Sequence, residues 1–350
     1  MVHGVDALRR LWMGAGGLTG LDRLAVPVLG GVGAILMLHR VTDRLRHPEG
    51  PNRHLAVSPS FLDRVLAAAR KEGLDLVSMD EAVARLDAGG GGARFLAITA
   101  DDGYRDNHSE ALPVLERHEA PITVYIAPGL NDRRDPLWWD VIEDAVASGR
   151  TIDAGTHRLA LDCSTPRSRQ VAFERLLRLL GSETPEHARN ALVEEIASEA
   201  GVDAFRPSRE TLMDWDELAR FAAHPLVTIG AHTVHHPNLR RLEESEARRE
   251  MEESRDRLAE ALGHPPRHFA FPYGSRAAAG PREAKLAGEA GFLSAVTTNH
   301  GVLMAGHRAH RHALPRISLN GRFQHLPHVT TMLRGFTTPA ANKGRRLVTF

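Results

Sequence analysis

Short apolar runs alternate along the chain with segments whose apolar residues recur at helical spacing, the pattern of βα units around a parallel sheet or barrel. Gly33 to His39 reads as a strand. Ser58 and Pro59 then supply an N-cap and first-turn proline for a helix carrying Phe61, Leu62, Val65, Leu66 and Ala69, which Gly73 ends. Phe95 to Thr99, Ile122 to Ala127, Leu226 to Gly230, Phe269 to Phe271, Ser294 to Thr298 and Arg316 to Leu319 read as further buried strands. Helical spacing fills the gaps over Ser109 to His118 and Arg282 to Ala290. A longer helix carries Ala247, Met251, Ser254, Leu258 and Ala261 at alternating intervals of four and three, and Gly263 and Pro265-Pro266 stop it.

Between Asn131 and Trp215 the strand rhythm ceases. Phe173, Leu176, Leu177 and Leu180, then Leu192, Ile196 and Ala200, mark two amphipathic stretches, so this segment is expected to be an inserted helical cap. The expected organisation is α/β: a lead-in over residues 1–32, a (β/α) barrel over 33–320 with the insertion at 131–215, and a C-terminal tail over 321–350, frayed from Thr338. Ala25 to Leu38 is apolar, but it holds Pro27, Gly30, Gly31 and Gly33 and falls short of the roughly 20 residues that a spanning helix needs. The amphipathic stretch around Val5 to Leu24, with Leu8, Leu11, Trp12, Leu21 and Leu24, is expected to be docking surface, with peripheral membrane contact as its less favoured use.

With 350 residues, of which 42% are hydrophobic, the chain can bury a large core. A formal net charge of +0 gives no footprint for nucleic acid. The single Cys163 forms no internal disulfide. With no export signal in evidence, a cytoplasmic substrate pool is expected; the oligomeric state is left open.

The chemistry concentrates at two strand ends. In Ile98-Thr-Ala-Asp101-Asp102-Gly103-Tyr104 an apolar run leads straight into two carboxylates, which are costly there unless they have partners. The C-terminal strand ends of barrels carry active sites. Adjacent residues leave a strand in different directions, so Asp101 and Asp102 are expected to do different jobs. Gly230-Ala-His232-Thr-Val-His235-His236-Pro237 follows another strand, and His232 and His236, four apart, can present two imidazoles on one side. With Asp102 they make three protein ligands for a metal, leaving a position for water or a carbonyl oxygen. His235 lies off that face.

Thr99-Ala100-Asp101-Asp102-Gly103, His232-Thr233-Val234-His235-His236-Pro237 and Phe269-Ala270-Phe271-Pro272-Tyr273-Gly274 resemble, in order, the three motifs of the polysaccharide deacetylase family of carbohydrate esterases. That family includes nodulation chitooligosaccharide deacetylases and circularly permuted poly-N-acetylglucosamine deacetylases. The resemblance implies a distorted (β/α) barrel and hydrolysis of an acetamide. It makes Asp101 the base, and Asp102, His232 and His236 the ligands of a divalent metal, zinc in first place with cobalt or nickel as alternatives. Pro272 and Tyr273 would border the substrate, with a backbone N–H such as that of Tyr273 on the oxyanion.

Two departures stand out. Many members carry an arginine where this chain has Ala270, and Arg316 beside the last strand is the candidate replacement partner for Asp101. No Leu-x-His motif occurs near the C-terminus, whereas Leu36-Met-Leu-His39 ends the first strand, as in permuted members, so His39 is the candidate acid. The expected partner is an N-acetylated oligo- or polysaccharide, with a chitooligosaccharide first. A different amidase on a related barrel, or a carbohydrate-binding homologue without catalysis, are the alternatives. Trp138-Trp139 is expected to pack the cap rather than stack on sugar, and His300, His307, His310, His312, His325 and His328 to lie in a solvated loop.

Overall fold

The computed structural model of the chain describes residues 20–154 and 159–350. Its strands are, in chain order, β1 (Gly33–Leu38), β2 (Arg40–Val41), β3 (Ala56–Val57), β4 (Asp75–Val77), β5 (Phe95–Asp101), β6 (Ile122–Ile126), β7 (Ile152–Ala154), β8 (Leu159–Leu161), β9 (Val227–Ala231), β10 (His268–Ala270), β11 (Ser294–His300) and β12 (Leu314–Ser318). Parallel pairing in the order β1, β12, β11, β10, β9, β6, β5 returns from β5 to β1 and closes a seven-stranded barrel. β4 stands outside the ring, on the half of the β5 edge that β6 leaves open: it pairs with Phe95 to Ala97, and β6 takes over from Ile98.

The two faces of β5 show how sequence becomes position. Leu96, Ile98 and Ala100 pack outward into the core shared with the helices, while Phe95 and Ala97 pack inward. The period of two then places Thr99 and Asp101 on the inward face. β12 follows the same rule, with Leu314 inward and Ile317 outward, so Arg316 enters the barrel interior. The helix Pro59–Lys71 forms as its spacing predicts: Ser58 Oγ accepts from the Phe61 N–H at 3.0 Å, and all five expected apolar residues are buried.

The segment between β6 and β9 has its own hydrophobic core, built on the helices Trp138–Ala147, Pro166–Arg178 and Glu186–Ala200. Leu192, Ile196 and Ala200 are buried in it, but Leu177 is exposed. Ala261 is exposed too, although Ala247, Met251, Ser254 and Leu258 are buried as expected. The helix expected from Ser109 begins earlier, with a π-helical turn over Asn107–Ala111, and becomes α-helical over Leu112–Arg117.

Several expectations give way. The tail is not frayed at Thr338: Thr337–Ala341 is helical, Thr338 Oγ1 accepts from the Val302 N–H, and Val348 is buried. The histidines near the C-terminus are not simply solvated, because loop carbonyls without a ladder partner take their ring N–H groups. His307 Nε2 donates to Val348 O and His312 Nε2 to Phe292 O, and His300 Nε2 meets Thr337 Oγ1 at 2.7 Å. Most of the lead-in expected as docking surface lies outside the described residues. Leu21 and Leu24, in its described part, and Val28 just after it are exposed. Among the described residues no helix is long and apolar enough to cross a membrane.

Candidate active site

Asp101 ends β5 inside the barrel rim, and Arg316 meets it from across the interior. Arg316 Nη1 and Nη2 donate to Asp101 Oδ1 and Oδ2, each at 2.7 Å, a bidentate pair buried on both sides. The rest of the guanidinium is also used: Nε donates to Thr297 O at 2.9 Å and Nη1 to Thr99 Oγ1 at 3.1 Å. Thr99 Oγ1 in turn donates to Leu36 O. Burial pushes the Asp101 carboxyl up, but the Arg316 charge and its two hydrogen bonds outweigh it and hold the group below the ordinary value. Ala270, where the resemblance calls for arginine, lines the same interior with only its methyl group.

Asp102 takes φ 72° and Gly103 φ 71°, turning the chain sharply off the strand, so Asp102 points away from Arg316. A Cβ on Gly103 would stand 2.6 Å from Ile126 Cδ1, which leaves glycine the fitting residue. Asp102 Oδ1 lies 3.7 Å from His232 Nε2 and 3.6 Å from His236 Nε2. The three residues form the one group of three or more His, Cys, Asp or Glu among the described residues that is arranged to hold a metal ion. All three are buried.

Several features show that the set fits a cation. His232 Nδ1 donates to Ala270 O at 2.7 Å, which fixes the tautomer and aims the Nε2 lone pair at Asp102. Asp102 Oδ1 is buried without a hydrogen-bond partner among the described residues. Burial, with Asp101 and Asp140 nearby, pushes the Asp102 carboxyl well above its ordinary value. Burial likewise drives the His232 and His236 imidazoles down, that of His236 well below its ordinary value. An unpartnered carboxylate oxygen converging with two imidazoles whose charged forms burial disfavours makes a poor ion-pair network and a suitable N,N,O donor set.

The surroundings are strained. Asp102, Thr233, His236 and Tyr273 are four of the seven non-glycine residues with positive φ among the described residues, and such conformations persist where the neighbouring structure over-determines them. Glu250 braces the histidine loop from the helix Glu244–Leu262, its Oε2 accepting from the Val234 and His235 N–H groups. His235 itself is half-exposed and meets Asp135 at 2.6 Å, outside the triad as expected. Pro272 is buried, and Tyr273 sets its ring 5.0 Å from that of His236. The Tyr273 N–H has no protein acceptor among the described residues. His39 follows β1 one step beyond the Leu38–Ala100 register pair, on the same rim as Asp101. Burial lowers its imidazole to about 4, with the Asp101 charge opposing.

Residues 88–178 and 179–291 match the family profile described as polysaccharide deacetylase, more than half of the chain. The chain belongs to the polysaccharide deacetylase family. Three solved structures show the same fold. The Streptococcus pyogenes deacetylase PplD, solved with acetate, is 18% identical at a TM-score of 0.56, over 85% of this chain and 97% of its own. IcaB from Ammonifex degensii is 17% identical at a TM-score of 0.52, over 86% and 97%. The BpsB deacetylase domain from Bordetella bronchiseptica is 16% identical at a TM-score of 0.50, over 82% and 95%. A search of curated proteins found no match.

For this deacetylase, the insertion supplies site walls that the sequence pattern did not reveal. Trp139 is core, as expected, yet its ring stands 4.9 Å from that of His236, and its Nε1 donates to Tyr104 Oη. Trp138 Nε1 donates to Tyr273 Oη at 3.2 Å. The Trp-Trp pair was a signal for this wall, but spacing alone does not say which rim a helix packs on. The same helix fastens the loop after β2: Glu143 Oε1 accepts from the Asn52 N–H at 2.7 Å, and Asp140 Oδ1 from Asn52 Nδ2 at 3.0 Å.

Burial pushes the Glu143 carboxyl up to about 7. A carboxyl whose folded pKa is raised takes up a proton on folding, so the stability of this contact falls as pH rises from about 4.5 towards 7. Urea midpoints should therefore show the parent losing stability relative to Glu143→Gln between about pH 5 and pH 8. A difference that stays constant across that range contradicts the assignment.

Proposed function

We propose that this chain is a zinc-dependent N-deacetylase of N-acetylglucosamine-containing oligo- or polysaccharides, with a chitooligosaccharide as the first substrate to test. The observation that carries the proposal is the juxtaposition of two differently equipped carboxylates. Asp101 is kept ionised by Arg316, and Asp102, its Oδ1 without a hydrogen-bond partner among the described residues, converges with two histidines.

In this reading Asp102, His232 and His236 hold the cation, which when bound would polarise the acetyl carbonyl and acidify a water molecule. Asp101 accepts the water's proton. Arg316 occupies one lone-pair direction on each of its oxygens and leaves others to accept it. The Tyr273 N–H, without a protein acceptor among the described residues, is the candidate donor to the oxyanion. His39 rests neutral, so it must gain a proton during the cycle before passing it to the departing amine, and the neighbouring Asp101 is the group that acquires one. Trp139 and the Tyr273 ring wall the histidines and limit water. Acetate and a free amino sugar result.

Acetate release from N-acetylglucosamine oligomers, run beside cyclic ureides and formamides, tests the reading. The parent should release acetate and leave the other amides intact, and His39→Ala should lower the rate about 100-fold while leaving metal content unchanged. Hydrolysis of ureides or formamides without acetate release would transfer the site to another amidase class.

A further inference from the structure

We propose that Arg189, carried by the insertion, is a positioning residue that sets the pose of His236 and Tyr273, making the helical insertion a working part of the metal site. The inference rests on the metal reading above. It begins from an asymmetry between the two histidines. His232 is oriented through its ring, by the Nδ1 bond to Ala270 O, whereas His236 Nδ1 is buried with no hydrogen-bond partner among the described residues. No second residue thus orients the His236 ring through a hydrogen bond as Ala270 does for His232, and His236 also sits at φ 51°.

Arg189 acts from outside the ring. It lies on the helix Glu186–Ala200 and is 3% exposed. Its Nη2 donates to the His236 carbonyl oxygen at 3.2 Å and its Nη1 to Tyr273 Oη at 3.2 Å. The first bond fixes the backbone of the ligand residue. The second, together with Trp138 Nε1 on the same hydroxyl, presses the Tyr273 ring against the imidazole. A planar fork can serve two acceptors at once, which a lysine ammonium does less rigidly.

A buried guanidinium beside a cation site needs its own counter-charge, and Glu186 provides it. Glu186 Oε2 accepts from Arg189 Nη1 at 2.6 Å and from the Asn238 N–H at 3.0 Å, tying the helix to the end of the histidine loop. Glu186 Oε1 accepts from Arg241 Nη1 at 2.8 Å. Arg241 also donates to Thr184 O, but it has no hydrogen bond to His236 or Tyr273. It thus anchors the insertion through the other oxygen of Glu186 without touching His236 or Tyr273 itself, and it separates direct positioning from mere attachment.

Zinc affinity, measured by chelator competition without substrate, tests the inference on the full chain, with the cobalt absorption spectrum as a second readout of ligand geometry. Arg189→Met should raise the zinc dissociation constant roughly 10- to 100-fold, Arg189→Lys about 10-fold, and both should alter the cobalt spectrum. Arg241→Met should lower the melting temperature but leave zinc affinity within about twofold of the parent. If Arg189→Met does not fold, Arg189→Lys decides. The inference is overturned if both Arg189 variants bind zinc within about twofold of the parent, or if Arg241→Met weakens binding as much as they do. A parent that binds no zinc removes the metal reading and the inference with it, a result distinct from normal binding in the variants.

Discussion

Asp101→Asn is expected to lower acetate release roughly 100- to 10,000-fold, with zinc still bound by Asp102, His232 and His236. The amide keeps the shape of the carboxylate and loses its ability to take a proton. It also disturbs the partner: Asn offers one acceptor oxygen to a guanidinium that now gives two bonds to two oxygens, and its NH2 group faces the other N–H. Part of the loss in the single variant could thus come from a strained interior. The double variant Asp101→Asn with Arg316→Met resolves this, since it removes both buried charges together. Its stability should recover towards that of the parent, because replacing a buried ion pair by uncharged groups is often close to neutral. Its activity should stay lost. Recovery of activity along with stability would take the base role from Asp101.

Arg316→Met alone carries the second large expectation. Asp101 would be left as an uncompensated carboxylate inside the barrel, and breaking a buried pair in this way costs about 3–5 kcal/mol. Thr99 Oγ1 and Thr297 O also lose their Arg316 donors, so the effect reaches β5 and β11 as well as the site. Urea unfolding should show the drop, and the double-variant cycle with Asp101→Asn should give a coupling term that accounts for most of it. A loss below about 1 kcal/mol would mean that solvent or another group compensates Asp101, against the closed geometry seen here.

Asp101, Asp102, His232 and His236 were legible because contiguous residues at strand ends carry their own placement: β5 sets the inward face of Asp101, and the Asp102-Gly103 turn redirects its neighbour. His39 was legible for the same reason, since the first barrel strand can close the ring between β5 and β12. Arg316 was only a candidate, because its pairing with Asp101 spans 215 positions and depends on barrel closure. β4 escaped notice: three residues with Asp75 exposed give no clear alternation. Arg189 and Glu186 left no local sign at all. They lie on a helix whose apolar residues predict only that it packs, and their partners belong to the histidine loop and the Tyr273 turn.

The insertion is also where the fold and the chemistry meet. Its hydrophobic core is separate from that of the barrel, yet Trp138, Trp139, Glu186 and Arg189 all converge on His236, Asn238 or Tyr273. A helical segment that only covered the barrel would have no need of a buried, counter-charged arginine at that point.

The most direct measurement takes one preparation, strips it with a chelator, and follows zinc content and acetate release from N-acetylglucosamine oligomers as zinc is returned, in the parent and in Asp102→Asn, His232→Ala and His236→Ala. Acetate release in the parent should disappear with the metal and return in step with one bound equivalent. Each ligand variant should bind zinc far more weakly and fail to recover. Undiminished acetate release from the stripped parent, or full recovery by the ligand variants, would contradict the account.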